Sequence, residues 1–219
     1  MDTGSTFQST YRASHTISFW FKLASTSGSQ GLFGAWSGSV SQNAVYFDGT
    51  GNIVHRYRVA SSPKPTVSSS FTPDTNWHHF ASSITQSGSD AIVKSYLDGV
   101  YKATATATID MTGFTQSNNT YVGARSGSVI YLNGLMDEVA LFGSALSDGG
   151  VSTGATASGD IATVYNSGVP GDIASLSPVG WWRMGDNDGG TGTTVTDQGS
   201  GSNNGTLTNG PTFSSTVPS

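Results

Sequence analysis

HTISFWFKL, residues 15–23, places Ile17, Phe19, Phe21 and Leu23 on one side of an extended chain and Thr16, Ser18, Trp20 and Lys22 on the other. Successive side chains on a strand point to opposite faces, so this alternation predicts a half-buried β-strand with an apolar inner face. The pattern recurs on both sides of it. A Ser/Gly turn over 25–31 leads to a short strand from Gly31 to Trp36. NAVYFD (43–48) ends in Asp48-Gly49, Thr50-Gly51-Asn52 extends the turn, and IVHRYRV (53–59) reads as the hairpin partner. Pro63 and Pro65 mark an irregular loop. WHHFASSI (77–84) and AIVKSYL (91–97) are further strands, and Asp98-Gly99 turns the latter into VYKATAT (100–106). TYVGA (120–124), SVIYLNG (128–134) and LMDEVALF (135–142) follow.

Roughly a dozen short strands at close spacing are the pattern of a sandwich or jelly roll. The expected fold is all-β: a two-sheet antiparallel β-sandwich, with one short helical turn near 160–166. There DIATVYN carries Ile161, Val164 and Tyr165 behind Asp160 as cap, with Gly168 and Pro170 beyond. Composition agrees. The 219 residues contain a single glutamate, Glu138, against 29 glycines, which disfavours long helices. VGWWRM (179–184) reads as one more aromatic strand, followed by a Gly/Thr/Asn-rich tail of low complexity. The chain is therefore read as a sandwich over 1–178 and a segment 179–219 that either completes it or opens a neighbouring module.

Charge and composition exclude several functions. Charged residues are 11% of the chain, the formal net charge is −5, and the nine basic residues are scattered along the sequence, so nucleic acid is not an expected partner. No apolar run is long enough to cross a bilayer, and MDTGSTFQST at the start is too polar for a secretory signal. Absence of cysteine removes disulfides and Cys-based metal sites.

In order, TISFWFK (16–22), WHHFA (77–81), YLDG (96–99), YVGA (121–124), LNGLMDEVALFGSALS (132–147) and Tyr165-Asn166 resemble the laminin-G-like, concanavalin A-like lectin/glucanase jelly-roll family. The resemblance covers about residues 15–166 and implies two antiparallel sheets of about six strands each. GWWRMGDNDGGTGTTVTDQGSGSNNGTLTNG resembles the opening of such a domain, displaced to the C-terminal end. The wording SFWFK, GWWRMGD and NNGTLTN is similar to virion proteins of marine tailed phages, which implies a tail-fibre, head-fibre or decoration protein.

Catalytic patterns are weak. Glycoside hydrolysis needs two carboxyls a few ångströms apart, and one Glu cannot supply the paired-Glu strand of the fold's hydrolases. Asp186 and Asp188 share that spacing only in a Gly-rich loop. No G-x-S-x-G occurs. His78 and His79, adjacent on a strand, point to opposite faces and cannot share one metal ion or proton-transfer site; packing the sandwich is their expected role. Calcium is the candidate cofactor. The resemblance implies Asp-based sites, for which Asp137, Asp98 and Asp48 are the candidates, against turn formation at Asp48 and Asp98 and a backbone bond at Asp137. The DNDGG loop (186–190) lacks the closing carboxylate of an EF-hand.

Sugar binding needs aromatic platforms with polar neighbours. Trp20, on the polar face of its strand, is the leading candidate, with Trp36, Tyr46, Tyr57 and Tyr131 behind it; burial in the sandwich is the competing reading for each. The functional expectation is a non-catalytic, virion-associated adhesion or decoration module that binds surface glycan. The alternatives are a structural particle subunit with no sugar ligand and, third, a glycoside hydrolase. The expected partners are other virion or surface proteins, further copies of the chain, or a glycan, without membrane insertion. The expected location is virion or extracellular.

Overall fold

The computed structural model describes residues 1–37, 41–60, 65–126 and 129–219. In chain order its elements are α1 (Gln8–Tyr11), β1 (His15–Leu23), β2 (Gln30–Ser37), β3 (Ser41–Phe47), β4 (Asn52–Arg58), β5 (Thr66–Ser70), β6 (Trp77–Ser87), β7 (Asp90–Leu97), β8 (Val100–Thr108), β9 (Tyr121–Val122), β10 (Ala124–Ser126), β11 (Val129–Tyr131), β12 (Gly134–Phe142), α2 (Gly159–Tyr165), β13 (Gly180–Trp182), β14 (Thr194–Val195) and β15 (Gly205–Thr206). Pro63 and Ser128 lie outside the described residues.

Two antiparallel sheets form a jelly-roll sandwich. One has the order β13-β12-β1-β6-β7-β8 and the other β5-β4-β3-β2-β9, with β10-β11 and β14-β15 as small hairpins. The Asp48-Gly49 and Asp98-Gly99 turns join β3 to β4 and β7 to β8, as their chemistry predicts. At the second, Asp98 and Gly99 both have positive φ, 50° and 73°. The aromatic strand β13 pairs with β12, matching Ala140 to Trp181, and Trp182 is fully buried edge-on to Phe7 at 5.9 Å. The segment after residue 178 thus supplies an edge strand of the larger sheet.

Ile17, Phe19, Phe21 and Leu23 enter the core between the sheets, as their alternation requires, beside Phe33, Val45, Phe47, Ile53 and Phe80. The other face of β1 is not solvated. Every residue of that strand except Lys22 is buried, because a second apolar cluster covers the outside of the six-stranded sheet. This cluster joins Ala81, Tyr96, Ala140 and Phe142 of the sheet to Leu146, Ala157, Ile161, Val164 and Ile173 of the following segment. The expectation of a half-buried β1 is therefore corrected: a third layer lies outside the sheet.

A chain of polar groups crosses the core. The Asn43 side-chain amide donates to His15 Nε2 (2.8 Å), His55 Nε2 donates to Asn43 Oδ1 (2.6 Å), and Ser82 Oγ lies 2.8 Å from His55 Nδ1. Burial holds His15 down to about 4 and His55 to about 3, so both are neutral, paired core groups.

Candidate functional site

Trp20 is 3% exposed. Tyr165, on the last turn of α2, stacks on it at 6.0 Å, and His79 packs against it at 5.1 Å. Gly99 makes room for this arrangement, since a Cβ there would overlap the Tyr165 ring. His79 Nε2 reaches Ser18 Oγ (2.9 Å), and burial depresses its pKa to about 3. As an open sugar platform Trp20 is thus corrected: the residues after 143 bury it. Tyr57 is likewise enclosed, fully buried against Phe114 with its hydroxyl donating to the Tyr11 carbonyl (2.6 Å).

The aspartates proposed for calcium sit apart, those at 48 and 98 with both oxygens engaged and Asp137 with one. Asp48 accepts from the Thr50 and Asn52 backbone and from the Asn52 amide. Asp98 bonds His78 Nδ1 (2.7 Å) and the His79 backbone (2.9 Å). Asp137 accepts from the Glu138 N–H and is pushed up to about 7 by burial, with the Glu138 charge adding to the rise. Among the described residues, no three His, Asp or Glu side chains are grouped so as to hold a metal ion. A bulge in β12 accounts for the Asp137–Glu138 arrangement. Opposite Ser18 and Trp20 the register jumps from Ala140 to Asp137, with Glu138 at φ 47°. Glu138 is clamped by Trp181 Nε1 (2.6 Å) and Arg183 Nε (2.8 Å).

The other sheet has a different outer surface. Inward on β2, β3 and β4 point Phe33, Val45 and His55; the alternate residues point out. One outward row is Trp36, Gln42, Arg58; the next is Gly34, Ala44, Arg56; a third contains Tyr46 and Val54. Beside Val54 and Arg56, the exposed edge strand β5 offers Thr66, Ser68 and Ser70. The short strand β10 folds back across β2. A Cβ at Gly31 or Gly34 would overlap the Arg125 backbone, so only glycine permits that approach. Arg125 is thereby laid over Trp36 (4.6 Å to the ring centre) and Tyr46 (5.3 Å). Arg56 lies 5.7 Å from the Tyr46 ring centre and donates to its hydroxyl (3.1 Å).

Of the aromatic candidates, the structure therefore brings Trp36 and Tyr46 together, Trp36 half-exposed and Tyr46 largely beneath its arginines. Tyr131, 48% exposed, lines a separate groove of about 730 Å³ with Met136, Asp137, Met184 and Phe213. Sequence reasoning missed the arginines. Arg56 and Arg58 carry a readable signal, since two residues apart on a strand they must share a face. Arg125 has none, because its placement depends on β10 crossing the glycines of β2.

The chain belongs to the concanavalin A-like lectin/glucanases superfamily, its Laminin_G_3 family profile matching residues 2–152. A search of curated proteins finds no match. Among solved structures, a candidate carbohydrate-binding protein from Bacteroides ovatus superimposes with TM-score 0.63 at 15% identity, covering 94% of this chain and 55% of that one. The chain thus spans about half of that protein's length. The CBM40 of the Ruminococcus gnavus IT-sialidase, bound to α2,3-sialyllactose, gives TM-score 0.50 at 19% identity, covering 64% of this chain and 82% of that one. Domains LG4-5 of the mouse laminin α1 chain give 0.46 at 16% identity, covering 62% of this chain and 37% of that one.

Proposed function

We propose that this chain is a non-catalytic glycan-binding module whose ligand lies on the outer face of the five-stranded sheet, within a virion-associated adhesion or decoration protein. One observation carries the reading. The partly exposed Trp36 ring shares the outer side of the sheet with guanidinium donors and a row of exposed hydroxyls at its β5 edge. Sugar rings stack on aromatic faces and their hydroxyls need directed partners, so this combination suits a saccharide. The Bacteroides and Ruminococcus proteins, carbohydrate binders by description, share the fold. The particle assignment draws on the likeness of SFWFK, GWWRMGD and NNGTLTN to tailed-phage virion proteins.

The clamped carboxylate supports the non-catalytic half. Both oxygens of Glu138 are taken by Trp181 and Arg183, which leaves neither placed to accept or deliver a proton to a substrate.

A glycan array, repeated with Trp36→Ala, tests the reading. Binding that weakens by about tenfold or more in the variant, with cooperative thermal unfolding retained, is the expected result. No binding to any glycan, together with stable self-assembly, would support a structural subunit instead. Mass spectrometry of purified particles tests the virion assignment.

A further inference from the structure

We infer that the glycan recognised on this face is acidic, its carboxylate held by Arg56, Arg58 and Arg125. The inference rests on the glycan-binding reading of the same face and names the chemistry of its ligand.

Three observations point to it. First, positive charge gathers here. Arg56 and Arg58 project from one strand to one side, and Arg125 is brought over the same surface by β10. Second, that charge is uncompensated. Every Asp and Glu of the chain lies among the described residues, and the ion pairs found there join His78, Lys94 and Arg183 to carboxylates, none of them these three arginines. In a chain of net charge −5, a cationic patch without carboxylate neighbours is a local reversal. Third, Arg56, Arg58 and Arg125 each have a buried Nε with no hydrogen-bond partner among the described residues. Leaving a charged group's N–H unpaired is costly, and an anion near the guanidinium would offset part of that cost. Burial lowers the Arg125 pKa, and the neighbouring Arg56 charge lowers it further, as expected for cations crowded without a counter-charge.

The chemistry favours a carboxylate on a sugar over a free small anion. A guanidinium fork matches two carboxylate oxygens, while Trp36 and the Thr66, Ser68 and Ser70 hydroxyls suit the ring that carries them. Sialic and uronic acids share this group, so both serve as probes.

Titration calorimetry with 3′-sialyllactose, lactose, an oligouronate, a neutral gluco-oligosaccharide of equal length and a sulfated galactan decides the matter. The expected result is that at least one carboxylated sugar binds about tenfold or more tightly than its neutral counterpart, and that added salt weakens it. Arg58→Gln and, separately, Arg56→Gln should each remove most of that preference while thermal unfolding is retained. Equal affinity for acidic and neutral sugars overturns the inference and leaves glycan binding standing. Binding of the sulfated galactan alone overturns the carboxylate assignment. Binding of none overturns both. Should Arg56→Gln unfold the sheet, Arg58→Gln, with no ring contact among the described residues, carries the test.

Discussion

The two sheets of this sandwich treat their outer faces in opposite ways. Outside the six-stranded sheet, Trp20, Ala81, Tyr96, Ala140 and Phe142 are buried beneath Leu146, α2 and Ile173. Outside the five-stranded sheet, among the described residues, glycines admit the crossing β10–β11 hairpin, Gln42, Ala44, Tyr46 and Val54 are buried, and the groups left partly or fully exposed are Trp36, arginines and the β5 hydroxyls. The covered face is built from side chains that gain by leaving water, at about 25 cal/mol per Å² of apolar area. The open face is built from groups that lose by it unless a partner arrives. An aromatic residue therefore means different things on the two faces: Trp20 is sealed under Tyr165 of α2, and Trp36 stays partly exposed beneath an arginine.

The strongest way to break the comparison is a charge beneath the cover. Ile161 is fully buried on α2, and Ile161→Asp should cost about 4 kcal/mol or more, through lost packing and an unpaired buried carboxylate. Urea unfolding would measure it; a cost below about 1 kcal/mol would mean that α2 is not seated on the sheet. Trp36→Ala on the other outer face should cost less than that, about 1–2 kcal/mol by the same measurement, since its ring is only partly buried. Gly34→Ala should fall between, at about 1–3 kcal/mol, because its methyl group displaces β10. It should also weaken glycan binding, as Arg125 moves with that strand.

Acid sharpens the contrast, since the covered face and the core contain histidines and Asp137 with shifted pKa values, while the charged groups described on the outer five-stranded face are arginines. His15, His55 and His79 are held to about 4, 3 and 3, against 6.5 in the unfolded chain. Between those values the unfolded state binds more protons. The stability due to these histidines is therefore complete above pH 6.5 and is lost as pH falls toward 4, each losing at most about 1.4 kcal/mol per pH unit. Asp137 works in the other sense. Its pKa, raised from 3.8 to about 7, lets the folded state bind the extra proton, so its contribution grows as pH falls through that window. The net loss from pH 7 to 5 should be on the order of 3 kcal/mol. Asp137→Asn should steepen it by about 2 kcal/mol, and Arg58→Gln should leave it unchanged. Unfolding midpoints at the two pH values check all three.

Much of the fold was legible because strands facing a core alternate, and HTISFWFKL and the two Asp-Gly hairpins alternate clearly. The helix at 159–165 was legible from its apolar spacing, but not its position over Trp20, which depends on a long-range docking that no local period encodes. The split of TYVGA into β9 and β10 was also hidden, since the fold-back at Gly123 requires Gly31 and Gly34 some ninety residues earlier. The site was half legible for the same reason. Trp36 and Tyr46 were visible as aromatics; Arg56 and Arg58, missed there, share a face by strand alternation, while Arg125 reaches them only through the tertiary crossing.

The smallest expected effect lies at the rim of the open sheet. Asp48 closes the β3–β4 turn, its Oδ1 accepting from Thr50 N (2.7 Å) and Asn52 N (3.1 Å) and its Oδ2 from Asn52 Nδ2 (2.8 Å). These bonds hold its carboxyl below the usual carboxylate range despite the opposing effect of burial. Asp48→Ala should cost about 1 kcal/mol, the scale of one local cap. A calcium ion there would have to take both oxygens from those donors and gather several more ligands. Millimolar calcium should accordingly shift the melting temperature by less than about 1 °C in the wild type and the variant alike. A larger shift in the wild type that vanishes in Asp48→Ala would show that the turn exchanges its own N–H groups for a metal, and would make the open face's rim a cation site.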